Sequence, residues 1–161
     1  MPNSYMQIPV IPAAGPDDKG WIPIKNLNFS MKTEIVKFDK GRPRQLDRCQ
    51  YDVATVKKPY DRASLFLAVF ISQGQMLPAV NMAFSREDEK DIYLKCELKN
   101  VLISEYEFEV DDGADAEETL KLDFQSIEWK FRPKLKGGKL GEWVHAGWDR
   151  LSESAVTDLV S

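Results

Sequence analysis

Asp91-Ile92-Tyr93-Leu94-Lys95-Cys96-Glu97-Leu98-Lys99, read on through Asn100 to Pro133, is the stretch that decides the fold. From Ile92 to Lys99 apolar and polar residues alternate strictly, the period-two pattern of a strand buried on one face. Tyr93, Lys95, Glu97 and Lys99 form its wet face. After Asn100 the alternation resumes one position out of phase, as Val101 and Ile103, then slips again near Ser104-Glu105 before Tyr106, Phe108 and Val110. A one-residue slip turns every side chain over unless a bulge or bend absorbs it, so the strand is expected to bend. Asp111 to Asp115 reads as a turn, and Thr119 to Arg132 as the antiparallel return. There Leu120, Leu122 and Phe124 hold one phase and Ile127, Trp129 and Phe131 the other, with the slip at Gln125-Ser126. Matched slips in adjacent strands predict one strongly coiled, barrel-like sheet. Pro133, lacking an N–H, ends the ladder.

The 161 residues, 43% hydrophobic, suffice for one domain, 1–161, with a full core. A formal net charge of −4 and the absence of a broad basic stripe argue against sequence-independent nucleic-acid binding. No basic start followed by an apolar run marks a signal peptide, and no stretch is long and apolar enough to span a bilayer. Synthesis in the cytosol without membrane insertion is the expectation. Cys96 lies on the apolar face of its strand and reads as a core residue. Cys49, between Arg48 and Gln50, has one flanking cation, weak support for a reactive thiol. A cytosolic origin disfavours a disulfide between them.

In chain order, Ser4 to Ile11 reads as an edge strand, where Pro9 is tolerated. A second strand runs from Trp21 to about Met31, with a bulge near Lys25-Asn26. Lys32 to Arg48, containing Lys37, Lys40, Arg42, Arg44 and Arg48 with Gly41 and Pro43, has little periodicity and is long for a connection. It reads either as a solvated loop or as an arm that docks on a neighbouring subunit. Gln50 to Lys57 is a short strand. Asp61 or Ser64 caps the one convincing helix, whose stripe of Leu65, Phe66, Val69 and Phe70 reads as packing and which ends at Gly74. Met76 to Arg86 is a strand with Val80, Met82 and Phe84 inward, and Glu87 to Lys90 a solvent turn without the ligand pattern of a calcium loop. Lys134 to Lys139 is a basic loop, Glu142 to Trp148 a last strand, and Asp149 to Ser161 a tail of helical composition, free to fray.

The search for chemistry is nearly empty. His145 is the only histidine and cannot make a multi-histidine zinc site, and two scattered cysteines add little. It reads as a polar strand residue. No Gly-x-Ser-x-Gly elbow, phosphate-binding loop or dinucleotide fingerprint occurs. Glu117 and Glu118, adjacent on a strand, point to opposite faces and do not form an acid/base pair. No catalytic residue, metal site or cofactor is expected.

Several segments, taken in order, carry a resemblance. They are Tyr5-Met6-Gln7-Ile8, Trp21-Ile22, Tyr60-Asp61-Arg62-Ala63-Ser64, Gly74, Leu98 to Ser104, Leu120-Lys121-Leu122-Asp123-Phe124 and the closing Ala146-Gly147-Trp148-Asp149. The chain resembles, nearly end to end, the haemolysin-coregulated protein (Hcp) family, tube subunits of bacterial type VI secretion systems that are also similar to phage tail-tube proteins. The resemblance implies a mainly β fold, a two-sheet antiparallel barrel with one α-helix. It implies a hexameric ring that stacks into a tube and is exported with small effectors, with sheath and spike components as further partners. It brings no catalytic residues. Two departures stand out: the usual Gly after the first-strand motif is Val10 or Pro9, and the 32–48 loop is rich in Arg and Pro where many members have Gly, Ser or His.

The implied contacts can be named. Heterologous ring contacts are expected at edge strands near Tyr5 and Trp143. Arg42, Arg44 and Arg48 are candidate subunit or ring-stacking contacts, meeting acidic surface such as Glu87-Asp88-Glu89 or Asp111-Asp112. The family places small polar channel residues between two large apolar ones in the second strand; here Leu27-Asn28-Phe29 makes Asn28 the candidate lumen and cargo contact. Asn28 is equally readable as an ordinary exposed strand residue. The alternative function is a monomeric β-barrel binding a small ligand or partner protein, for which Leu98, Phe108, Phe124, Trp129 and Phe131, all expected inward, leave little room.

Overall fold

The computed structural model describes residues 3–11, 20–36, 45–46 and 49–155. The elements are β1 (Ser4–Gln7), β2 (Trp21–Pro23), β3 (Asn26–Asn28), β4 (Met31–Lys32), β5 (Ile35–Val36), β6 (Gln45–Leu46), β7 (Gln50–Tyr51), β8 (Ala54–Pro59), α1 (Arg62–Ser72), β9 (Leu77–Ser85), β10 (Ile92–Glu109), β11 (Glu117–Phe131), β12 (Val144–Asp149) and β13 (Ser154–Ala155). All strand pairs are antiparallel. Nine strands form one sheet in the order β13-β12-β11-β10-β9-β1-β2, with β8 joined to β11 and β3 to β8.

The long β10–β11 hairpin organises this sheet, and both of its strands change neighbours at one level. β11 pairs with β8 from Glu117 to Leu122 and with β12 from Ser126 onward. β10 keeps β9 as its other neighbour only as far as Val101. Between these regions Asn100 takes a left-handed φ of 51°, which Asn tolerates better than most residues. Its side-chain amide donates to Gln125 Oε1 at 2.9 Å. The expected slip is therefore a shared bend, and the second slip is a register shift between Ile103 and Glu105. The wide half of the sheet runs from β13 to β2; the narrow half is β3, β8 and the tip of the hairpin. Ile24 N–H donates to Ser4 of the wide half and Lys25 N–H to Lys57 of the narrow one, so consecutive residues carry the chain between them. That crossing, rather than a bulge, is what the phase change at Lys25-Asn26 encodes.

The core lies inside the coil: Met6, Ile22, Val56, Leu98, Leu120 and Leu122 are buried. Phe29 closes it from the second segment, with ring centroids 5.8 Å from Phe124 and 5.9 Å from Trp129. Of the residues expected inward, Leu98 and Phe124 are buried and Trp129 is half-buried. Phe108 and Phe131 are exposed instead, because each lies near an end of the hairpin beyond the layer that covers the core.

Other elements depart from the sequence reading in ways hydrogen bonding explains. β1 is shorter than Ser4–Ile11 and is interior, flanked by β2 and β9, so the surface near Tyr5 is not a free edge. Pro9 falls after the strand. Trp143 precedes β12, its ring lying 4.6 Å from the Arg132 guanidinium and 5.0 Å from Lys95 Nζ. The tail is not helical over its described part. Asp149 Oδ1 accepts from the N–H groups of Ser152 and Leu151, which hold its carboxyl below its usual range and turn the chain so that Ser154–Ala155 pairs back on β12.

α1 begins as predicted. Asp61 accepts from Ala63 N–H at 3.0 Å while Ser64 Oγ accepts from Asp61 N–H at 3.0 Å, a reciprocal capping box, and Gly74 sits at φ 65° past the C-terminus. Its packing face is not the predicted one. Of the expected stripe Phe70 does pack against the core, but the buried residues are Ala63, Ser64 and Leu67, whereas Leu65 is 62% exposed and Val69 52%. The reason is a polar cluster beneath the first turn. Lys58 Nζ, fully buried, shares its three N–H groups among Asp61 Oδ1, the Pro59 carbonyl, Ser64 Oγ and Glu118 Oε1. Ser64 Oγ donates to Glu118 Oε1 at 2.6 Å, and Tyr106 OH to Glu118 Oε2. Burial first, and the bond to Glu118 second, hold the Tyr106 phenol well above its ordinary range.

Breaking a buried ion pair by removing one partner typically costs about 3–5 kcal/mol, while replacing both by apolar groups costs far less. Lys58→Met and Glu118→Leu should each lose about that much in urea unfolding, and the double variant less than either. Single variants within about 1 kcal/mol of wild type would show that the cluster does not hold α1 down.

Candidate functional site

Asn28 lies on β3, whose Leu27 packs toward the core while Asn26 and Asn28 are exposed. Because cross-strand partners share a face, register gives its neighbours: Asn28 opposes Thr55, Thr55 opposes Lys121, and Lys121 opposes Glu105. Lys121 Nζ and Glu105 Oε2 are 2.8 Å apart, and that hydrogen bond raises the lysine pKa. The row below runs Asn26, Lys57, Thr119, Glu107. The narrow half thus presents a continuous polar wall in which Asn28 is one member. Thr55, Lys121 and Glu105 were not singled out from the sequence; period two gives each residue's face, but only register aligns four strands.

Arg42, Arg44 and Arg48 lie outside the described residues. The segment that holds them is not a plain loop at its ends, however. Met31 opposes Tyr51 and Lys32 opposes Gln50, and further out Ile35 opposes Leu46 and Val36 opposes Gln45. These two short ladders make the base of the arm a β-hairpin, hidden from periodicity because each ladder is two residues long.

The wet face of the wide half is different in character. Lys95 stands opposite Lys130, and Glu97 opposite Glu128, two like-charged rows side by side. Same-strand neighbours offset the repulsion, with Lys130 3.9 Å from Glu128 and Lys99 3.5 Å from Glu97. Lys95, Glu97, Glu128 and Lys130, with Tyr5 and Trp21, line an open groove of about 670 Å³. His145 Nδ1 stands 3.8 Å from Glu128, outside hydrogen-bond reach. The groove holds charge of both signs, and Cys96 is among its lining residues.

A family model described as type VI secretion system effector, Hcp, matches residues 12–131. The chain belongs to the Hcp family. Comparison with curated protein sequences gives no match. Among solved structures, a type six secretion system protein superposes with a TM-score of 0.86 at 20% identity, covering 96% of this chain and 99% of the other. Hcp1 of Salmonella typhimurium gives 0.76 at 16%, covering 96% and 98%. The secreted protein Hcp3 of Pseudomonas aeruginosa gives 0.63 at 14%, covering 92% and 98%. At these identities the superpositions speak for the fold: mainly β, antiparallel, with one helix. Hcp chains are tube and effector components of type VI secretion. Among the described residues of this Hcp chain, no helix is long and apolar enough to cross a membrane.

The two thiols of this Hcp chain differ as the sequence indicates. Cys96 is 7% exposed, and burial, with Glu97 adding to it, pushes its pKa up to about 12. Cys49 is half-buried beside Tyr51 in an open cleft that also includes Arg150. Since the thiolate is the reactive form, titration with an aromatic disulfide reagent should find one fast thiol per folded chain and the second only on unfolding. Loss of the fast thiol in Cys49→Ser confirms the assignment; two fast thiols in the wild type would contradict the burial of Cys96.

Proposed function

We propose that this chain is a structural subunit of a type VI secretion inner tube. It acts as one domain over 1–161, with the two sheet halves working together as a barrel. It assembles into hexameric rings, which stack into a tube and are exported from the bacterial cytoplasm with, or as carriers of, small effectors. The family match over residues 12–131 carries this reading. The sites are consistent with it: buried polar groups such as Glu118 are committed to structure, and the exposed faces offer contact. Neither catalysis nor a cofactor enters it. Sheath and spike components are the further partners the reading implies.

In this reading the polar wall containing Asn28 faces the channel, where six copies would present it to cargo. The arm bearing Arg42, Arg44 and Arg48 reaches the next ring or subunit. Of the acidic surface it could meet, Glu89 is already engaged by Lys134 at 2.5 Å, which lowers its pKa, while Glu87 and Asp88 remain exposed. The alternative of a monomeric ligand-binding barrel has no room inside the coil, which Leu98, Val101, Leu120 and Leu122 fill.

Native mass spectrometry and negative-stain microscopy of the purified protein should show six-copy rings; monomer alone across a wide concentration range overturns the reading. Replacing Arg42, Arg44 and Arg48 together by Ala should leave folded rings whose stacking is weaker and less salt-sensitive. Asn28→Arg should keep the ring and reduce retention of a small cargo protein, and unchanged cargo handling would remove Asn28 from the channel wall.

A further inference from the structure

α1 is apolar on both sides. Only Arg62 of its 11 residues is charged, and while Ala63, Ser64 and Leu67 face the sheet, Leu65, Phe66 and Val69 form an outward stripe, each 44–62% exposed. A helix that is hydrophobic all round is normally covered on all sides. A basic amphipathic face of the kind that lies on anionic membranes is absent. The polar cluster of Lys58, Glu118 and Asp61 fixes the first turn, so the stripe is held in place.

A second apolar patch lies at the other end of the β10–β11 hairpin. Phe131 and Val144, cross-strand partners, are 43% and 42% exposed, and Leu135 beyond them 53%. Charge distinguishes the two ends. Beside the start of α1, where Tyr60 meets Phe108 edge-on at 5.4 Å and its N–H donates to the Ala116 carbonyl, the hairpin tip carries Glu109, Asp111, Asp112, Asp115 and Glu117, of which Glu117 is paired with Lys25 at 3.2 Å. Beside Phe131 and Val144 the loop 134–139 carries three lysines and no carboxylate. Lys134 is taken by Glu89, but Lys136 and Lys139 have no ion-pair partner among the described residues.

Two separate patches, both apolar and flanked by opposite charge, are what a head-to-tail contact requires, because such a contact joins two different surfaces of the same subunit. We propose that the outer stripe of α1, with the acidic hairpin tip, seats on the Phe131–Leu135–Val144 patch and the Lys136–Lys139 loop of a second copy, and that this is the contact repeated around the ring. The proposal rests on the ring reading above and specifies its interface.

The test uses two variants of the full chain, one at each end. Leu65→Ser with Val69→Ser alters only exposed side chains on one patch; Leu135→Asp with Val144→Ser alters the other. Each should melt like the wild-type monomer yet raise the concentration at which rings form at least about tenfold. Mixed together, the two retain one intact pair of surfaces between them, so native mass spectrometry should find one-to-one dimers and no larger ring. A charge reversal supplies an independent arm: Asp111→Lys with Asp112→Lys should lower assembly, and Lys136→Glu with Lys139→Glu supplied on a second chain should recover rings in which the two chains alternate, because both kinds of junction are then complementary. A wild type that stays monomeric overturns the ring reading and this contact with it. Wild-type rings beside variants that assemble equally well overturn this contact alone, assigning the patches to another protein. Loss of thermal stability in place of assembly also overturns it, by placing the cover within the same chain.

Discussion

The bend at Asn100 and Gln125 is the constraint on which the rest depends. Two strands of 18 and 15 residues paired without interruption would make a flat ribbon with a single buried face. A left-handed residue in one strand, joined by its side chain to the residue opposite, lets both strands change phase together. Leu98 and Ile127 below the bend and Val101 and Phe124 above it are all buried, although each pair is an odd number of residues from the other. The same turn of the backbone releases β11 from β12 to β8, and so produces two sheet halves from one hairpin. The polar wall on the narrow half and the charged rows on the wide half follow, because each is simply the face left outside the coil.

Where physics is local, the sequence was legible. The two slips in β10, the matching slip in β11, a cap at Asp61 or Ser64 and the glycine at 74 are all written in neighbouring residues. What depended on register was not. Lys58, in Val56-Lys57-Lys58-Pro59, has the look of a solvated lysine, and alternation alone puts it on the same face as Val56 without saying how a charge survives there. Only pairing with Glu118 and the cap of α1, 60 and 3 residues away, answers that. The same limit explains the helix. With large apolar residues on both sides, the pattern offered Leu65, Phe66 and Val69 as readily as Ala63 and Leu67, and the burial of Ser64 by the polar cluster decided which side faces in.

That cluster also separates structure from catalysis. Glu118 is buried and adjoins a phenol and a hydroxyl, a grouping that in a cleft would suggest a perturbed acid. Here each carboxylate oxygen is already satisfied, Oε1 by Lys58 and Ser64 and Oε2 by Tyr106, and Glu118, Lys58 and Ser64 are themselves buried. Buried charge of this kind contributes less to net stability than an apolar equivalent of the same shape would. Its effect is directional: it leaves one seat for the first turn of α1 and so sets which side of the helix faces outward.

Similarity to solved type VI secretion structures at 10–20% identity becomes intelligible on the same terms. Alternation, a tolerated left-handed residue at the bend and a helix cap can be met by many side chains, so a fold that rests on them outlasts most of its sequence. Contacts between subunits make a stricter demand, since the two surfaces must match each other and reject other partners. In the ring proposed above, an Arg- and Pro-containing arm, an acidic hairpin tip and a lysine loop are the features that would meet this demand. The core states only which family they belong to.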